Sequence, residues 1–102
     1  MIVSVMYQVG PKQKFDLGYY MKTHIPMVES LFGPIGLKGA QVLQGIGSPS
    51  GGPATYHVIA LLDFESVDAF KGALDAHGAA VMGDIPNFTD AQPAIQFNNR
   101  VE

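Results

Sequence analysis

The amino-acid sequence predicts an α+β fold of the ferredoxin-like kind: elements in the order βαββαβ, a four-stranded antiparallel sheet, and both helices on one face of it. Three observations carry this expectation. Strand-like and helix-like hydrophobic patterns follow one another in that order. Segments rich in glycine and proline separate them at 10–11, 33–34, 47–53 and 83–92. The 102 residues suit one domain with one core, and they contain neither an internal repeat nor a linker.

Residues 2–9 form the first predicted strand, apolar on both alternation phases, and Gly10-Pro11 stops it. Residues 15–31 read as a helix, with Asp16 as N-cap or first-turn acid and Gly33-Pro34 as its end. Pro26 lies inside that helix. It lacks an amide donor and crowds the carbonyl of Lys22, so a bend between Lys22 and Pro26 is expected. Residues 38–46 form the second strand around Val42, Leu43 and Ile46. Residues 47–53 are turn chemistry throughout and open no helix, which argues against a phosphate-binding loop. Residues 55–64 make the third strand. Ser66 caps the second helix with Asp68 in its first turn, and Val67, Phe70, Leu74, His77 and Val81 share one of its faces. Residues 83–92 read as a loop, and residues 94–98 as the last strand.

The third strand is apolar on both sides. Tyr56, Val58, Ala60, Leu62 and Phe64 point one way, and His57, Ile59 and Leu61 the other. A sheet with one wet face alternates apolar and polar residues. Two helices cover only one face, so a second copy of the same sheet is expected on the other, giving a homodimer. The alternative is a half-polar, solvated face, which Ser4, Gln8 and Gln44 allow.

Composition excludes several classes. Six basic side chains are scattered against nine acidic ones, a formal charge of −3, so no basic stripe for nucleic acid exists. Without cysteine there is no disulfide, cysteine-held iron–sulfur cluster or thiolate metal site, which fits a reducing cytoplasm. Residues 1–6 read as a strand rather than a signal peptide, and no apolar run approaches the roughly 18 residues of a membrane span. Only 15% of residues are charged while 47% are hydrophobic, so either the monomer is poorly soluble or another subunit covers some apolar surface.

Two segments carry a family resemblance. Phe15-Asp16-Leu17-Gly18-Tyr19-Tyr20-Met21-Lys22-Thr23-His24-Ile25-Pro26-Met27 resembles the first-helix signature of the EthD family. Asp84-Ile85-Pro86-Asn87-Phe88-Thr89-Asp90-Ala91-Gln92-Pro93-Ala94-Ile95-Gln96 resembles that family's C-terminal motif more closely still. The family takes its name from ethyl tert-butyl ether degradation. The resemblance implies a small dimeric α/β barrel associated with oxidative breakdown of small organic compounds. Some similar proteins look like cofactor-free lyases acting on aromatic polyketides, and the wider group also holds monooxygenases, isomerases and haem proteins. Fold does not choose among these.

His24 is the first candidate for chemistry. Tyr20 lies four residues earlier on the same helical face, and a bend at Pro26 opens space beside both. A histidine titrates near neutrality and suits a general acid or base, and Tyr20 is placed to orient it or to donate to an oxyanion. The structural alternative is a histidine tied to a backbone carbonyl, with Tyr20 as core. Tyr19, Asp84, Asn87 and Phe88 are the candidate substrate contacts, with Phe88 at a pocket mouth. Here the alternative is an ordered connector with Phe88 packed on the core. His57 and His77 lack a partner at metal-ligand spacing, so neither a metal nor another cofactor is expected; haem on His24 is the remaining analogy. Two classes therefore stay open. One is a small-molecule enzyme or binder, oxidoreductase-associated or a cofactor-independent lyase or isomerase. The other is a non-catalytic accessory or assembly protein. A cavity of roughly several hundred cubic ångströms reaching His24 favours the first, and a filled core the second.

Overall fold

The structure, a computed structural model, describes residues 1–101. Strand β1 (Ile2–Tyr7) lies inside a four-stranded sheet of order β2-β3-β1-β4, with β2 at Leu37–Gln44, β3 at Val58–Phe64 and β4 at Pro93–Asn98. All neighbours are antiparallel. Val3, Val5 and Tyr7 pair with Leu62, Ala60 and Val58 on one side, and with Phe97, Ile95 and Pro93 on the other. These residues form the inner face. Along β3 the buried residues are Val58, Ala60, Leu62 and Phe64, as the alternation in the sequence requires. Each strand begins or ends within a few residues of its expected place. Pro93 opens the edge strand β4, a position where a missing amide donor is tolerated.

The first helical run spans residues 17–32 in three pieces: α1 (Leu17–Tyr19), a π turn (Tyr20–His24) and α2 (Ile25–Phe32). Asp16 is the N-cap, its carboxylate accepting the Tyr19 N–H at 3.0 Å. The bend expected at Pro26 takes a different form. Helical backbone continues through Pro26, which sits in the first turn of α2, where its missing donor is tolerated. The accommodation lies one turn earlier, where the Ile25 N–H reaches back five residues to the Tyr20 carbonyl. Gly33-Pro34 also does not end the run, because a 3₁₀ turn (Gly33–Ile35) follows. Gly36, at φ 123°, turns the chain into β2, and a Cβ there would come within 2.9 Å of the Ala69 Cβ.

Helix α3 (Val67–Asp84) starts on Ser66, whose hydroxyl accepts the Ala69 N–H at 3.0 Å. It runs further than the sequence suggests. Gly83 and Asp84 stay helical, and a 3₁₀ turn (Ile85–Asn87) built on Pro86 ends it. Residues 14–16 then clasp residues 88–90. The Asp16 N–H donates to the Phe88 carbonyl at 2.7 Å, Phe15 bridges Thr89, and the Thr89 hydroxyl donates to the Lys14 carbonyl.

Packing between helices and sheet falls into two clusters. One is built on Val3, Val28, Phe32, Leu62, Phe64 and Phe70. The other is aromatic, with Tyr7, Tyr20 and Phe88 against Ile25 and Val58, and Phe15 packed on it. On the opposite face Ile2, Met6, Leu43, Ile59 and Leu61 surround a shallow groove of about 370 Å³, bordered by Ser4, Asn98 and Arg100. No helix among the described residues is long and apolar enough to cross a membrane.

Candidate functional site

The π turn and the end of α3 face each other across the aromatic cluster. His24 is 4% exposed. Its Nδ1 lies 2.8 Å from Asp84 Oδ2, on the last residue of α3. The other carboxylate oxygen, Oδ1, accepts the Tyr19 hydroxyl at 2.6 Å and the Asn87 Nδ2 at 3.0 Å. Burial raises the Asp84 pKa, but the hydrogen bonds from Tyr19, Asn87 and His24, together with the histidine's charge, outweigh it and the net shift is downward. Asp84 is therefore an ionised, acceptor-only group. That assigns the ring hydrogen of His24 to Nδ1 and leaves the Nε2 lone pair as the free proton acceptor. The Tyr19 phenol is pushed up, first by its hydrogen bond to Asp84.

Tyr20 stacks on the imidazole with ring centroids 5.4 Å apart and planes 18° from parallel. Positions four apart in an α-helix are offset by about 40° around its axis, and the wider π turn brings them closer to alignment. Phe88 lies 4.6 Å from the His24 ring and is fully buried. It packs edge-on to Tyr7, Phe15 and Tyr20 beneath the site, so the expectation of Phe88 at a pocket mouth is corrected. The clasp on residues 14–16 holds it inward by its own carbonyl.

Tyr20 and His24 line one cavity, which lies between the two packing clusters. Its other walls are apolar, among them Val5, Ile25, Val28, Ala60 and Leu62, except for the phenol of Tyr7. Its volume is about 50 Å³, below the several hundred expected of a ready-made ligand pocket. Met82, Ile85, Pro93 and Ile95 line both this cavity and an outer groove of about 580 Å³ that runs past Pro86 and residues 89–92. The two spaces adjoin at these four residues, at the α3–β4 edge. Tyr19, Asp84 and Asn87 stand outside the lining of the inner cavity and bear on it through His24.

Sequence reasoning missed Tyr7. Among the inward residues of β1, otherwise Val3 and Val5, it alone carries a polar tip, and that was the available signal. Burial pushes the phenols of both Tyr7 and Tyr20 well above their ordinary range. His57 packs against Phe15, away from His24, and no group of three potential metal ligands occurs among the described residues. A porphyrin on His24 does not fit, because the ring is buried and the space beside it is about 50 Å³.

An antiparallel ferredoxin-like sheet with its helices on one face, and a buried histidine paired with a part-buried carboxylate beside an apolar cavity, define the class. The EthD domain model matches residues 12–92, and the chain belongs to the EthD family. Its fold matches that of an EthD-like protein from Ralstonia eutropha JMP134, with 34% identity over 93% of this chain and 86% of that one, at a TM-score of 0.87. An ethyl tert-butyl ether degradation family protein from Bacillus halodurans C-125 is 18% identical over 95% of this chain and 99% of that one, at a TM-score of 0.60. HapK from Hahella chejuensis is 11% identical over 100% and 96% of the two chains, at a TM-score of 0.53, a likeness of fold alone. No curated protein matches the chain.

Proposed function

We propose that this EthD-family protein binds and transforms a small organic molecule by acid–base chemistry at His24, in the setting of oxidative catabolism. One observation carries the reading: the Nδ1 of a buried histidine is held at 2.8 Å by an ionised Asp84, and the same histidine side chain lines an apolar cavity that shares wall residues with a larger groove. Such a histidine is fixed in tautomer and orientation, with Nε2 left to exchange a proton. Tyr19 and Asn87 hold Asp84, Tyr20 holds the ring by stacking, and substrate meets the cavity-lining side chains. A lyase or isomerase working with the protein's own side chains fits this arrangement best. The absence of cysteine accords with a reducing cytoplasm.

The protein acts as a homodimer in this reading, the apolar centre of the outer sheet face, Met6, Leu43, Ile59 and Leu61, being covered by a second copy. A second reading, a non-catalytic accessory protein, draws on the small inner volume of about 50 Å³. A thermal-shift screen of small organic molecules on the wild type and on His24→Ala separates the two. Ligands that raise the wild-type melting temperature but not that of an otherwise normally folded His24→Ala support the first. If no compound shifts the wild type and His24→Ala melts far below it, His24 is a structural residue.

A further inference from the structure

Tyr7 and Tyr20 are the two most buried phenols of the chain, each 1% exposed, and they come from different elements, β1 and the π turn. Their rings meet edge-on with centroids 6.0 Å apart, and both line the cavity that His24 lines. Among the described residues neither the Tyr7 nor the Tyr20 hydroxyl makes a side-chain hydrogen bond, whereas the Tyr19 hydroxyl does, to Asp84. No fully enclosed side-chain oxygen is left without a partner among the described residues, so both keep contact with accessible space. An unpaired phenol held against an apolar wall costs stability, and a hydrogen bond to a bound ligand relieves it.

The geometry points to the Tyr7 and Tyr20 hydroxyls as an oxyanion site, which receives the oxygen of an enolisable carbonyl on a small, otherwise apolar substrate beside His24. This inference rests on the acid–base reading above and deepens it by naming the substrate class. The carbonyl and its neighbouring carbon occupy the inner cavity, and the apolar remainder lies toward Met82 and Ile95 in the outer groove. His24 Nε2 takes the proton from the carbon next to the carbonyl. The electron pair of that C–H bond moves to form the C=C bond, and the carbonyl π pair moves to oxygen, giving an enolate. The two phenols donate to the enolate oxygen without ionising, since burial raises their pKa. Where the substrate carries a C=C bond β,γ to the carbonyl, the enolate is a dienolate: the imidazolium returns its proton to the γ-carbon, the pair on oxygen re-forms the C=O bond, and the C=C bond moves to the α,β position with no change in oxidation state.

The test uses 4-nitrophenol, whose phenolate mimics the enolate oxygen and absorbs at longer wavelength than the neutral form. At a pH below the probe's own pKa, the wild type is expected to bind it as phenolate, with its proton on His24. Tyr7→Phe and Tyr20→Phe each remove one donor, and affinity is expected to fall roughly 10-fold with circular dichroism and melting near wild type. His24→Gln is expected to keep the probe bound but neutral. A wild type that does not bind the probe, or Phe variants that bind it as well as wild type does, overturns the oxyanion site. If the Phe variants bind as wild type and the phenolate band still depends on His24, only the acid–base reading survives. If the Phe variants weaken binding and His24→Gln still shows the phenolate band, the oxyanion site stands and the acid–base reading falls.

Discussion

Asp84 accepts three side-chain hydrogen bonds on two oxygens, and this sets the sign of its pH response. Its folded pKa is lowered, so it contributes stability that is fully present above its unfolded value of about 3.9 and is lost as pH falls through the folded value. Asp84→Asn is expected to melt below wild type at pH 7, by roughly 1–3 kcal/mol and toward the lower end because the carboxylate keeps an edge in water. In acid below the folded pKa the gap is expected to close. Melting curves of both proteins across that range check this, and a constant gap contradicts it. At this scale the sequence was partly legible. The motif drew attention to Tyr19, Tyr20, His24, Asp84, Asn87 and Phe88, and the structure gathers them. The bond between His24 and Asp84 was not readable, because a residue assigned to a loop has no defined direction, whereas the end of α3 gives it one. Tyr7 was hidden by its strand, where a phenol reads as one more apolar residue.

Pro26 and Gly36 govern how the first helical run is built and left. With Pro26→Ala, a donor returns and the crowding of the carbonyl four residues back disappears. The π turn is then expected to relax toward α-helical bonding, turning His24 off Tyr20. A crystal structure or the imidazole NMR shifts of the variant check this, and an unchanged stack shows the π turn to be held by packing alone. Gly36→Ala places a side chain at φ 123° and against Ala69, and is expected to destabilise by roughly 1–3 kcal/mol in denaturant titration. Element types and order follow from hydrophobic period, caps and breakers, which are local. The π turn and the extra length of α3 are tertiary outcomes: α3 continues to Asp84 because its last turn has partners on the π turn, and no local rule records that.

At the scale of the whole molecule, the outer sheet face is expected to pair with a second copy. Sedimentation at micromolar concentration should give twice the chain mass, and Leu61→Lys should give a folded monomer with a lower, concentration-independent melting temperature. A wild type that sediments as a stable monomer removes the sheet-on-sheet arrangement. The clasp between residues 14–16 and 88–90 has a kinetic consequence. Thr89 and Lys14 are 75 residues apart, and His24 and Asp84 are 60 apart. Contacts of such high sequence separation must close large loops before they are rewarded, so they mature late on the folding route. A nascent or half-folded chain therefore carries no assembled His24–Asp84 pair, and the hydrogen bond that orients the imidazole forms only once the two ends of the chain have met.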